Sequence, residues 1–110
     1  MELDMSSFGG AIASGRKVKS MSQKELATKI IKEDGQPITP QYLNDIEHDR
    51  RSPSSDHMIR QFAKALSIGE NILFGLSGVL TQQDLKDVRR AKPEQVDQAF
   101  VAFRRALKKG

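Results

Sequence analysis

The chain has 110 residues, with 18 Lys and Arg against 14 Asp and Glu, a net charge of +4 and no cysteine. That length suits one small domain with a short appended element, and the lack of Cys excludes disulfides and thiolate metal sites. With no Trp, one Tyr and five Phe, the core has to be built mainly of Leu, Ile, Val and Ala. No apolar run approaches membrane-spanning length, and the opening MELDMSSF does not read as a signal peptide, which points to a cytoplasmic protein with no membrane partner. His48 and His57 have no ligand cluster around them, so neither a metal nor another cofactor is expected.

In chain order, the first residues form a polar arm that ends at a cap, Ser6 or Ser7. Phe8, Ile12 and Val18 then mark a helix over roughly 8–19 that depends on tertiary packing, because it contains Gly9, Gly10 and Gly15. Ser22 and Glu25 form a capping box, with Met21 and Leu26 at the hydrophobic-staple positions. Leu26, Ala27 and Ile30 give this second helix an inward face. Gln23 stands at its exposed, partly positive first turn, which suits a phosphate.

Thr39 caps a third helix, and Pro40 takes its first position, where a missing N–H costs nothing. Leu43, Ile46 and the aliphatic part of Glu47 face inward. Gln41, Asn44, Asp45 and His48 face outward. For an arbitrary helix such a face is a solvated surface, yet Gln and Asn are also the side chains that pair with adenine in the major groove.

Beyond it, Pro53-Ser54 opens a fourth helix with Ser54 as its cap. Ile59, Phe62, Ala63 and Leu66 form a full inward stripe. A short fifth helix covers residues 70–77, with Ile72, Leu73 and Leu76 capping the core. Thr81 caps a sixth helix over about 82–91. Pro93 begins the last one, whose stripe is Val96, Phe100, Phe103 and Leu107.

Phe8, Ile12 and Arg16, followed by MSQKELA, ITPQYLNDIE, RRSPS and IRQFAKAL, make the chain resemble the Xre, or lambda-repressor-like, helix-turn-helix family. The resemblance runs from about Phe8 to Phe74. It implies an all-α fold with a five-helix helix-turn-helix domain over 8–77; beyond it, residues 78–110 read from their own apolar stripe as a helical extension for dimerisation or partner binding. It also implies a scaffold ion pair between Arg16 and Glu47. The chain departs from the family in two places. The stretch IIKEDGQP is longer than the usual turn, so either the second helix continues through Lys32 or Glu33, with Gly35 ending it, or the loop bulges. After Glu47, Asp49 stands where the family commonly has glycine.

The function implied is a sequence-specific regulator of transcription that binds double-stranded DNA, a dimeric repressor on a pseudo-palindromic operator, acting at the nucleoid. Gln41, Asn44, Pro40 and Asp45 are the expected base contacts. Gln23, Lys24, Thr39, Tyr42, Arg50 and Arg51 are the expected phosphate contacts, although the two arginines fit a solvated basic loop as well. Val96, Phe100, Phe103 and Leu107 would form the homodimer interface. The alternative is an antitoxin whose last helix clasps a toxin protein and which represses its own operon. An enzyme is not expected, since no nucleophile–base–orienter grouping or glycine-rich phosphate loop is present.

Overall fold

The computed structural model describes residues 2–78 and 80–109. Among them it has seven helices: α1 (Phe8–Val18), α2 (Gln23–Lys29), α3 (Pro40–Glu47), α4 (Asp56–Leu66), α5 (Glu70–Ser77), α6 (Gln82–Arg90) and α7 (Pro93–Lys109). The fold is all-α, a helix-turn-helix domain with a helical extension. Helices α1–α5 form one compact unit and α6–α7 a second, with the division next to Leu80.

Short polar side chains start most of the helices. Ser7 Oγ accepts from Gly10 N at 2.9 Å to open α1. At α2 the capping box is complete in both directions, Ser22 Oγ with Glu25 N and Glu25 Oε1 with Ser22 N. Thr39 Oγ1 accepts from Tyr42 N at α3, and Thr81 and Asp84 repeat the box at α6. The cap of α4 is Ser55, which accepts from Met58 N, and not Ser54. The chain after Pro53 enters the helix one residue later than expected, at Asp56.

Between the helices of the α1–α5 unit lies one core. Ile12, Leu26, Ile30, Leu43, Ile46, Ile59, Phe62 and Leu73 are almost fully shielded from solvent. Each such side chain stabilises the fold by roughly 1.5–3 kcal/mol relative to exposure. The rings of Phe8 and Phe62 meet edge to face at 6.1 Å. Helix α1 packs on α3, α4 and α5, and α2 packs on α3 and α4. Val18 and Ile72, expected to face the core, are instead exposed.

Gly9 is where α1 comes closest to the end of α3. A Cβ there would lie 2.6 Å from Asp49 Oδ1 and 2.7 Å from Glu47 O, and closer still to Ile46 O.

The long connection between α2 and α3 is a bulged loop, not a continuation of α2. The helix stops at Lys29, and Ile31 pairs with Pro37 in an antiparallel bridge. Lys32 N donates to Gln36 O at 2.8 Å and Gly35 N to Lys32 O at 2.9 Å. Gly35, at φ +85°, supplies the left-handed turn of this small hairpin and does not end a helix. Helix α4 anchors the hairpin: Gln61 Oε1 accepts from Ile31 N at 3.3 Å, and His57 Nε2 lies 2.8 Å from Ile31 O. A carbonyl can only accept, so His57 Nε2 carries the hydrogen.

Candidate nucleic-acid interface

Helix α3 buries Leu43, Ile46 and Glu47. A buried carboxylate needs partners, and Glu47 has three N–H donors. Arg16 Nε reaches Glu47 Oε2 at 2.7 Å, and Arg16 Nη2 reaches Oε1 at 2.9 Å. Gln23 Nε2 adds a third bond to Oε1 at 3.0 Å. Arg16 Nη1 also donates to Met21 O at 3.0 Å. Hydrogen bonding to Glu47 raises the Arg16 pKa above its ordinary value, while desolvation acts against this and the opposite charge of Glu47 adds to it. The bidentate pair pins the end of α3 to α1.

The same chemistry fixes two amides. Glu47 can only accept, so Gln23 has to turn its nitrogen toward it. The second N–H of that nitrogen goes to Asn44 Oδ1 at 3.1 Å. Asn44 is thereby held with its oxygen toward α2 and its Nδ2 hydrogens left for another acceptor. Both side-chain N–H groups of Gln23 are spent, so a phosphate at this end of α2 would meet the unpaired backbone N–H groups of the first turn.

On the outer side of α3, Pro40 and Gln41 are exposed and Asp45 is half-buried. Gln41 Nε2 donates to Asp45 Oδ1 at 3.1 Å, which engages the amide nitrogen and leaves Oε1 as an acceptor. Arg50 N donates to Asp45 O at 2.9 Å, and its guanidinium makes a looser 3.5 Å contact with the Asp45 carboxylate. The Arg51 guanidinium lies over the Tyr42 ring at 4.6 Å. Lys24, Thr39, Arg50 and Arg51 are exposed. His48 is exposed as well, with Nδ1 turned back to Asn44 O at 2.8 Å.

Helix α3 thus carries Pro40, Gln41, Asn44 and Asp45, with Gln23 bonded to Asn44 across from α2. Val96, Phe100, Phe103 and Leu107 belong to the other compact unit. One further residue was not legible as a functional position. Asp49 adopts φ +58°, and its carboxylate reaches the start of α1, accepting from Gly9 N at 2.9 Å and from Ser7 Oγ at 2.7 Å. A negative charge at a helix N-terminus is favourable. The residue that stops α3 therefore also locks α3 to α1.

A family model described as helix-turn-helix matches residues 12–71, more than half of the chain. The chain belongs to the helix-turn-helix family. Its five-helix unit is the helix-turn-helix domain, of the Xre or lambda-repressor-like kind that the sequence resembles. Two curated relatives, both from Mycobacterium tuberculosis, are called uncharacterized HTH-type transcriptional regulators: MT0491 in strain CDC 1551 / Oshkosh and Rv0474 in strain ATCC 25618 / H37Rv. Each is 30% identical to this chain over 83 residues, covering 76% of this chain and 54% of the relative. The chain therefore spans about half the length of the curated relatives it matches. No solved structure matches it. Among the described residues no cluster of His, Asp and Glu could hold a metal ion, and no helix is long and apolar enough to cross a membrane.

Proposed function

We propose that this helix-turn-helix protein binds double-stranded DNA sequence-specifically, with α3 in the major groove, and represses transcription as a dimer on a pseudo-palindromic operator. The supporting observation is the clamp on α3. Arg16, Glu47 and Gln23 hold its inner side, while Pro40, Gln41 and Asp45 remain on its outer side.

The hydrogen bonds refine the roles. Gln41 presents Oε1 to a base donor, such as the adenine or cytosine amino group. Asn44 presents Nδ2 to a base acceptor. Asp45 has lone pairs left for cytosine N4, and Pro40 can pack on a thymine methyl. Phosphates would be held by Lys24, Arg50 and Arg51, by the Tyr42 and Thr39 hydroxyls, and by backbone N–H groups at Gln23. Such contacts fix register without reading sequence. Half-sites would stand about one helical turn, roughly 34 Å, apart.

A second reading, an antitoxin with a protein partner on α7, draws on the exposure of Phe103 and Leu107. Selection from random duplexes, with sedimentation of the unbound protein, separates the two. A two-fold symmetric enriched site and a dimeric protein are expected. A protein that enriches no sequence would refute the regulator reading, and a monomer that still enriches a site would favour the antitoxin.

A further inference from the structure

Helix α7 carries an apolar stripe at the a/d spacing of a coiled-coil helix. Val96, Phe100, Phe103 and Leu107 lie within about 60° of one another around the helix axis. Their spacing, four then three then four, reads the same in both directions. Within the α6–α7 unit, Val96 and Phe100 are half-buried and line an open groove of about 540 Å³ with Val88, Ala91 and Pro93 and with the charged Arg89, Asp97 and Arg104; the Arg104 guanidinium lies 5.8 Å from the centre of the Phe100 ring. Phe103 and Leu107 are 58% and 66% exposed. One half of the stripe thus offers a groove and the other half offers the apolar side chains to fill it.

We infer that α7 pairs antiparallel with α7 of a second copy of this chain. A two-fold axis passing between Val101 and Ala102 sets Val96 opposite the partner's Leu107 and Phe100 opposite the partner's Phe103. Symmetry repeats both layers, so each copy fills the groove of the other.

Charge selects this direction. Beside the stripe, on one flank, stand Asp97 in the first half of α7 and Arg104 and Lys108 in the second. Antiparallel pairing brings like flanks together and sets Asp97 against the partner's Arg104 and Lys108, twice. The other flank carries Ala99, Ala102 and Ala106, small enough for the backbones to approach closely. Parallel pairing would instead stack Arg104, Arg105, Lys108 and Lys109 of both copies at one end, with like charges opposed. A partner of another sequence would have to reproduce this match, whereas a second copy carries it already. The inference rests on the dimeric reading proposed above, but not on which bases α3 reads.

The test is sedimentation of the full chain, run beside the DNA selection. The wild-type chain sediments as a dimer. Phe103→Asp with Leu107→Asp sediments as a monomer with unchanged helical circular dichroism, since both side chains are exposed in one copy. Asp97→Arg weakens association about tenfold, and adding Arg104→Asp and Lys108→Asp restores it. The native chain has no cysteine, so disulfide trapping reads direction. A mixture of Ala99→Cys and Ala106→Cys chains crosslinks, whereas Ala106→Cys alone does not, because its two copies stand about 13 Å apart along the axis. A monomeric wild-type chain, a dimer that survives the Phe103 and Leu107 substitutions, or efficient crosslinking of Ala106→Cys with itself would each overturn the inference. Enrichment of a single half-site by a monomer would do so while leaving the DNA-binding reading in place.

Discussion

Arg16→Ala removes the guanidinium that serves both oxygens of Glu47. The two partners are not equally buried: the Glu47 side chain is 3% exposed and that of Arg16 is 13% exposed. The substitution leaves a carboxylate in the core with Gln23 as its remaining side-chain donor. Breaking a buried pair from one side costs roughly 3–5 kcal/mol. At about 1–3 kcal/mol per molar urea, the unfolding midpoint should fall by more than about 1 M. Glu47→Ala should cost less, because the stranded Arg16 is closer to solvent and keeps its bond to Met21 O. Arg16→Met with Glu47→Leu should recover most of the loss, since apolar groups of similar volume often replace a buried pair at little cost. Urea titrations followed by circular dichroism compare the four proteins. Arg16→Ala within about 1 kcal/mol of wild type, or Glu47→Ala the more damaging of the two single variants, would refute this reasoning.

Gly9→Ala should lower stability by about 1–3 kcal/mol, because its Cβ meets backbone oxygens of α3 that cannot give way. Calorimetry should show the melting temperature fall by about 5–15 °C, and an unchanged value would contradict the close approach. His57→Ala should weaken the α2–α3 hairpin by about 0.5–1.5 kcal/mol. Amide exchange at Lys32 and Ile38 should then quicken while that of Phe62 does not; equal acceleration everywhere would instead mean a global effect. Asp4 accepts from the Ser6 hydroxyl and then from the Ser6 N–H, which holds its carboxyl below the ordinary 3.8. A depressed carboxyl contributes stability above its ordinary pKa and loses it as pH falls through the lowered one. Asp4→Asn should therefore be the less stable protein at neutral pH, with the gap to wild type closing in acid below about pH 4; a gap that does not vary with pH would exclude this role.

What could be read from the sequence was what local rules decide. The caps at Ser22, Thr39 and Thr81 need only a hydroxyl near the right N–H, and the stripe from Ile59 to Leu66 needs only helical periodicity. Ser54 and Ser55 are adjacent and chemically alike, so local rules could not choose between them. The stretch IIKEDGQP satisfied both a prolonged helix and a bulge. The bridge of Ile31 to Pro37 and the grip of His57 and Gln61, both made at a distance in sequence, selected the bulge. The Gln23–Asn44 bond depends on how α2 and α3 are set against each other, which no spacing encodes. Asp49 looked like an imperfect substitute for glycine because its partners, Ser7 and Gly9, lie some 40 residues earlier. In α7 the stripe was legible, but not that Val96 and Phe100 are half-buried while Phe103 and Leu107 are exposed.

We propose that the outer side of α3 reads bases. The most direct test is the same selection from random duplexes carried out on wild type and on Gln41→Ala. The wild-type chain should enrich a defined site, and the variant should lose about 1–3 kcal/mol of discrimination at one base pair per half-site while keeping the rest. An identical base preference in the two selections would contradict the account.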